Sequence, residues 1–241
     1  MIDHPEPRHD QPPSGEVVSP LPPALWPARV VHEGRYARVE PLDIRDHAEE
    51  LYAASHADDT SLRIWDYLSS GPYPTQEAFQ TWLRDCSASA DPVFFAVRDQ
   101  RTGKASGMAS YLNVHPKAGT IEIGHIWFSP ALQRSPAATE AFYLLLRHAL
   151  DDLGYRRMEW KCNALNQASR RAAVRLGFSF EGIFYQHMIV KGRNRDTAWF
   201  AILDCEWPRL RANFEAWLAP DNFDESGRQR TSLSERNLAG R

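Results

Sequence analysis

An α+β fold with a largely antiparallel sheet is what this sequence predicts, and three observations predict it. Short runs rich in β-branched and aromatic residues recur through the middle of the chain. Several of them follow one another across tight turns, and a few stretches between them repeat apolar residues every three to four positions. With 241 residues and 43% hydrophobic content, the chain can bury a full core.

The elements can be justified in order. "RYARVEPL" (35–42) reads as a first strand, and "RDHAEELYAASHA" (45–57) and "TQEAFQTWLRDCSA" (75–88) have the spacing of amphipathic helices. "PVFFAVRD" (92–99) and "GKASGMASYLNV" (103–114) read as two strands joined by a short turn at Gly103. "TIEIGHIWFS" (120–129) continues as a third. The clearest helix runs from about Pro136 to Leu153, with Ser135 as N-cap, Pro136 in the first helical position and Gly154 as the stop. "RRMEWKCNA" (156–164) is then a strand and "NQASRRAAVRLG" (166–177) a short capped helix. "FSFEGIFYQHMIV" (178–190) and "DTAWFAILDCEW" (196–207) form a strand pair across the polar turn "KGRNR".

The ends read differently. Eight of the seventeen prolines fall within residues 1–28, a composition of extended chain, so 1–28 is expected to be a flexible leader. Residues 29–218 form the folded domain, and 219–241, polar with scattered apolar residues, are expected to be a disordered tail.

Composition excludes several function classes. A net charge of -3 lacks the basic excess of sequence-independent nucleic-acid binding. Cys86, Cys162 and Cys205 are odd in number and far apart, without the spacing of a zinc site or a disulfide framework. No apolar run approaches the roughly 20 residues of a membrane span, so a soluble, cytoplasmic protein is expected. P-loop, G-x-G-x-x-G, H-E-x-x-H and G-x-S-x-G motifs are all missing, which leaves kinase, dehydrogenase and hydrolase readings without their parts.

The stretch "SPALQRSPAATEA" (129–141) is the first with a chemical meaning. A helix N-terminus has unpaired amides and about half a positive charge, which suits phosphate, and Pro136 removes only one donor. Ala137, Ala138 and Ala141 keep that end open to a bulky ligand, with Gln133, Arg134, Ser135 and Thr139 beside it. The same residues also describe a well-capped helix with an alanine-rich packing face. Asn166 followed by Ser169 has the spacing of ordinary helix capping as well.

Taken together, "IGHIWFSP", "ALQRSPAATEA" and "NALNQASRRAAVRLGFSFEGIF" resemble the GNAT acyltransferase superfamily, in particular its RimJ/RimL-like branch of N-acetyltransferases. The family's pyrophosphate loop, Gln/Arg-x-x-Gly-x-Gly/Ala, is matched by Gln133 to Ala138, with Pro136 where the first glycine stands. Its Asn-x-x-Ser followed by Leu-Gly-Phe is matched in full by Asn166, Ser169, Leu176, Gly177 and Phe178.

The resemblance spans Val30 to Trp207. It implies a twisted, mixed, mostly antiparallel sheet flanked by helices, whose central strands "TIEIGHIWF" and "RRMEWKCNA" splay apart. Acetyl-CoA would lie in the gap as acyl donor, its pantetheine arm pairing with backbone near Ile126, Trp127 and Phe128. Its pyrophosphate would rest on Gln133, Arg134, Ser135, Ala137, Ala138 and Thr139. Asn166 and Ser169 would contact the arm, and Arg171, with Arg134 and Arg170, would neutralise phosphate.

The implied activity is transfer of an acetyl group to a primary amine, either the terminus of a protein or peptide or a small amine, by direct attack in a ternary complex. The amine must lose a proton, and the departing thiolate gains from one. Glu122 is the candidate base and His125 its competitor. Ser169 is placed near the sulfur, with Tyr185 as the rival proton donor; Cys162 reads as a buried small hydrophobe. Acetyl-CoA and an amine acceptor are the expected partners, without nucleic acid or membrane, and a homodimer is compatible with this reading. Two alternatives stand beside it. One is a CoA-binding or regulatory protein that lost turnover through Pro136, and the other is an interaction module acting through the Pro-rich leader.

Overall fold

The computed structural model describes residues 24–239, and Val18 besides. Its first half runs β1 (His32–Glu33), β2 (Ala37–Pro41), α1 (Ile44–His56), α2 (Asp59–Leu62), a 3-10 turn (Arg63–Trp65), α3 (Gln76–Ala88), β3 (Val93–Asp99), β4 (Lys104–His115) and β5 (Thr120–Phe128). Then follow α4 (Pro136–Arg147), a π-helical turn (His148–Asp152), β6 (Arg157–Asn163), α5 (Gln167–Arg175), β7 (Ser179–Val190), β8 (Arg193–Leu203), α6 (Trp207–Leu218) and α7 (Leu233–Leu238). The predicted α+β class is what the chain adopts.

All eight strands join one sheet in the order β1-β2-β3-β4-β5-β6-β8-β7. Each neighbouring pair is antiparallel except β5 with β6. That parallel pair is short, with Thr120, Ile121 and Glu122 opposite Arg157, Met158 and Glu159. Beyond Glu122, β5 stays registered with β4 but no longer with β6. The expected splay is therefore present, and it opens at Glu122.

Side chains alternate across a sheet, so each strand serves two cores. Ile121, Ile123, Met158, Trp160 and Phe200 face α4 and α6, where they meet Leu145, Leu146 and Phe214. Phe94, Ala96, Met108 and Trp127 face the other way, against Leu51, Trp65, Phe79 and Leu83 of the α1–α3 layer. Helix α4 is anchored by a buried carboxylate. Glu140, 6% exposed, accepts the backbone N–H groups of Arg35 at 3.0 Å, Tyr36 at 2.5 Å and Ala37 at 2.7 Å. It holds the turn from β1 to β2 against the helix that carries the candidate phosphate site.

Four expectations need correction. The stretch beyond 219 is not disordered. Ser232 and Glu235 close a capping box on α7, Phe223 bridges to Gln229, and Leu233 is fully buried beside α6. Its polar composition concealed one well-placed leucine and a cap. Of the leader, residues 1–23 other than Val18 lie outside the described residues. Residues 24–28 are tied down, since Ala24 joins the core and the Leu25 N–H donates to the Leu153 carbonyl at 3.0 Å. The long helix is α-helical only to Arg147 and then widens to a π-helical turn before Gly154, at φ 76°, ends it. The turn between β7 and β8 is tighter than "KGRNR", because β8 already begins at Arg193.

Two substitutions test these anchors by chemical denaturation. Leu233→Ala is expected to lower the unfolding free energy by about 3 kcal/mol, as cavity formation at a core leucine does. A loss below about 0.5 kcal/mol, the range of ordinary surface changes, would mean that the last helix is not part of the cooperative fold. Glu140→Ala leaves three N–H groups without their acceptor, that of Ala37 buried and those of Arg35 and Tyr36 partly so, and is expected to cost about 3 kcal/mol.

Candidate active site

The site is built where β5 parts from β6. Ser110 on β4 lies opposite Gly124, and Met108 opposite Trp127, so β5 carries one residue more than β4 across this interval. The extra residue is accommodated by His125, whose φ is 48°. Such a bulge bends a strand and ends regular pairing. His125 is a wall residue here: its Nδ1 is 2.9 Å from Ser110 Oγ, and its ring is 5.1 Å from that of Phe94. Burial pushes its pKa below the ordinary histidine value.

Glu122 sits at the last paired position before the gap, only 4% exposed. Its Oε2 accepts from Lys161 Nζ on β6 and from Asn113 Nδ2 on β4, each at 2.6 Å. Burial raises its pKa above the ordinary carboxylate range, while the Lys161 charge and the two hydrogen bonds pull it back. Lys161 also lies over the Trp199 ring, 4.3 Å from its centre. Asn113 and Lys161 were not singled out from the sequence. Alternation puts Lys161 on the Glu122 face only once the pairing of Glu122 with Glu159 is known, and the sequence does not give that pairing.

At the open end of the gap, the chain leaves β5 and turns into α4. Ile126 is half-buried, and Trp127 and Phe128 are buried. Gln133 Nε2 donates to the Phe128 carbonyl at 2.8 Å, which ties the loop to the end of β5. Arg134 adopts φ 59°. Ser135 caps the helix, its Oγ accepting the Ala138 N–H at 3.0 Å and donating to the Leu132 carbonyl at 2.6 Å, and Pro136 occupies the first turn. The amides of Arg134, Ser135 and Ala137 have no acceptor among the described residues. A left-handed residue beside a helix start gathers successive N–H groups into an anion-binding concavity, so the loop retains donors despite Pro136. Thr139 is buried, and its Oγ1 accepts from Arg175 Nη1 at 3.2 Å. Arg175 is the basic residue nearest the helix start by contact, and it was missed in favour of Arg171.

Across the gap, Asn166 caps α5 by accepting the Ser169 N–H at 3.0 Å. Ser169 Oγ accepts from Trp160 Nε1 at 3.0 Å and lies beside the Cys162 thiol. Trp160 is fixed by the rings of Phe142 on α4 and Phe178, at 5.4 and 5.5 Å. Cys162, buried below it, has its thiol pushed up by burial. Asn166 and Ser169 thus share the α4 face of the sheet with Trp160, whereas Glu122 and Lys161 occupy the other face. Arg171 is exposed, and Tyr185 is 77% exposed on the β7 bulge; neither is in contact with the other site residues.

Residues 38–179 match the model of the "Acetyltransferase (GNAT) domain" family. The chain belongs to the GNAT acetyltransferase family. A GCN5-related N-acetyltransferase from Brucella melitensis is 49% identical, with a TM-score of 0.88 over 90% of this chain and 97% of that one. A GNAT-family protein from Chromobacterium violaceum is 40% identical, with a TM-score of 0.75 over 82% of this chain and 98% of that one. The RimJ of Mycobacterium smegmatis, solved in complex with CoA-disulfide, shares the fold at 21% identity and a TM-score of 0.61, covering 85% of this chain and 88% of that one.

As a GNAT acetyltransferase the protein takes acetyl-CoA as its donor, and its residues fit that molecule. The three free amides suit the pyrophosphate, and the stretch of β5 beyond Glu122 that is unregistered with β6 suits the amides of the pantetheine arm. No helix among the described residues is long and apolar enough to cross a membrane. Calorimetric titration checks the loop: Ser135→Glu, which sets a negative charge against the helix start, is expected to weaken acetyl-CoA binding by about tenfold or more. Unchanged binding by the folded variant would place the pyrophosphate elsewhere.

Proposed function

We propose that this GNAT acetyltransferase is an N-acetyltransferase of the RimJ/RimL-like branch, acting on a primary amine by direct attack within a ternary complex. The observation that carries the reading is the placement of Glu122 and Ser169 on opposite faces of the sheet at one fork. Donor and acceptor can approach from the two sides and meet between β5 and β6, with no need for an acyl-enzyme. Cys162 does not argue otherwise, since burial keeps its thiol protonated.

Acetyl-CoA supplies the electrophile, a thioester carbonyl. The chain supplies the proton handling. Glu122, directly or through a water, takes a proton from the attacking amine; the N–C bond forms as the C–S bond breaks. The Ser169 hydroxyl, oriented by Trp160, offers a proton to the departing sulfur and is replenished from solvent. Tyr185, 77% exposed on β7, is the rival donor and would have to approach the sulfur from outside the fork. His125 lines the wall, with its imidazole engaged by Ser110.

Steady-state kinetics test the assignment. Glu122→Gln is expected to lower kcat by about 100-fold or more, with the Kd for acetyl-CoA nearly unchanged. The parent should lose activity as pH falls through a value above the ordinary carboxylate range, because only the ionised form accepts a proton and burial raises that pKa. That acid limb should vanish in the variant; its persistence would remove Glu122 from the base role. Ser169→Ala and Tyr185→Phe separate the two proton donors by their effect on kcat.

A further inference from the structure

Arg195 on β8 carries a charge that no group among the described residues neutralises. Thr197 lies opposite Asn163 and Trp199 opposite Lys161, so alternation along β8 places Arg195, Thr197 and Trp199 on the Glu122 face. Two other cations on this face are committed. Lys161 holds Glu122 at 2.6 Å, and Arg157 holds Glu159 at 2.8 Å. Arg195 has no ion pair and no hydrogen bond among the described residues, and its Nε is cut off from solvent. Burial disfavours its charged form, and Cys162 and, after it, Glu122 oppose that effect.

Two further donors on this face share that condition. The indole Nε1 atoms of Trp199 and Trp127 are buried without an acceptor. Trp127 is joined to the β8 side through Trp65, whose ring is 5.7 Å away and whose carbonyl accepts from Lys191 Nζ at 2.8 Å, four residues before Arg195. Indole and guanidinium nitrogens can only donate, and buried donors in folded proteins are nearly always paired. One unneutralised guanidinium with two unpaired indole N–H groups is complementary to oxygen acceptors bearing negative charge.

We propose that Arg195 determines acceptor specificity by receiving a carboxylate carried by the acceptor, whose amine is thereby directed towards Glu122. The proposal rests on the reading of the Glu122 face as the acceptor side. The substrate class is then an amine with a carboxylate a few bonds from its nitrogen, as in a free amino acid. The same guanidinium could take its anion from a phosphate of the donor, and the test separates the two sources.

Amino acids and their carboxamides, in matched pairs, are titrated into the CoA-saturated protein, with tryptophan fluorescence as the signal because Trp199 and Trp127 line the face. The same pairs are then assayed for acetylation. The parent is expected to favour the carboxylate by about 10- to 100-fold in Kd, the range of a charge-assisted pair. Arg195→Leu should bring that ratio close to one, with the Kd for acetyl-CoA unchanged. Arg195→Lys, which keeps the charge without the paired donors, should fall between, and it carries the test if the leucine variant does not fold. Equal binding of acid and amide by the parent overturns the proposal. So does a loss confined to acetyl-CoA affinity, which would assign Arg195 to a phosphate. Selective binding of the acid without its acetylation would uphold Arg195 and count against the amine-transfer reading, so the two failures are distinguishable.

Discussion

The contact between Glu122 and Lys161 is the hinge of this molecule. It joins β5 to β6 at the last position where the two strands are in register, and beyond it they separate. A buried ion pair gains little stability over an apolar pair of similar size, because desolvation opposes the attraction. Its value here is positional. With Asn113 holding the same oxygen from β4, three adjacent strands fix one carboxylate at the mouth of the gap. The His125 bulge then turns β5 aside, so that backbone normally consumed by a sheet ladder is left for another partner.

The far end of the gap depends on a second constraint, the placement of α4. Its first turn must face the splay, and the helix is held there by Glu140 on the β1–β2 turn and by a row of buried leucines against the sheet. Within the loop, Gln133 fixes the turn to the Phe128 carbonyl, and Arg134 adopts a left-handed conformation unusual for a side chain with a Cβ. Backbone strain of this kind persists only where its surroundings over-determine it. Its effect here is to aim consecutive amides at one point. Pro136 therefore costs the site a single donor, at a position where a helix spends no hydrogen bond.

Much of this was legible in the sequence because it is local. Ser135, Pro136 and Gly154 mark the limits of a helical stretch by capping chemistry that acts over a few residues, and Asn166 does the same for α5. The β-branched and aromatic runs located β3 to β8 for a similar reason. The C-terminal helix was missed because its stability comes from one buried leucine and its contact with α6, and composition averages that out. In the site, Glu122 could be proposed from its strand, but its partners could not. Lys161 lies about 40 residues away and meets it only through the register of β5 with β6, and Arg195, about 70 residues away, comes to the same face only through that of β6 with β8. Arg171 drew attention over Arg175 because the sequence does not say which side of a short helix turns towards α4.

The same register gives the sheet two differently furnished faces at the fork. A strand has two faces, and at the fork β6 presents Trp160 and Cys162 to the helices behind while showing Glu159 and Lys161 to the front. Trp160 orients the Ser169 hydroxyl at the back, and Lys161 orients the Glu122 carboxylate at the front. Neighbouring residues of one strand thus position proton-carrying groups on opposite sides of the opening. The front is then roofed by the α1–α3 layer and the β7–β8 turn, where Lys191 holds the Trp65 carbonyl and Tyr67 Oη reaches the Leu165 carbonyl at 3.4 Å. An opening walled in this way excludes water from the carboxylate, which strengthens every electrostatic contact inside it and makes an unpaired guanidinium there more selective than it would be on an open surface.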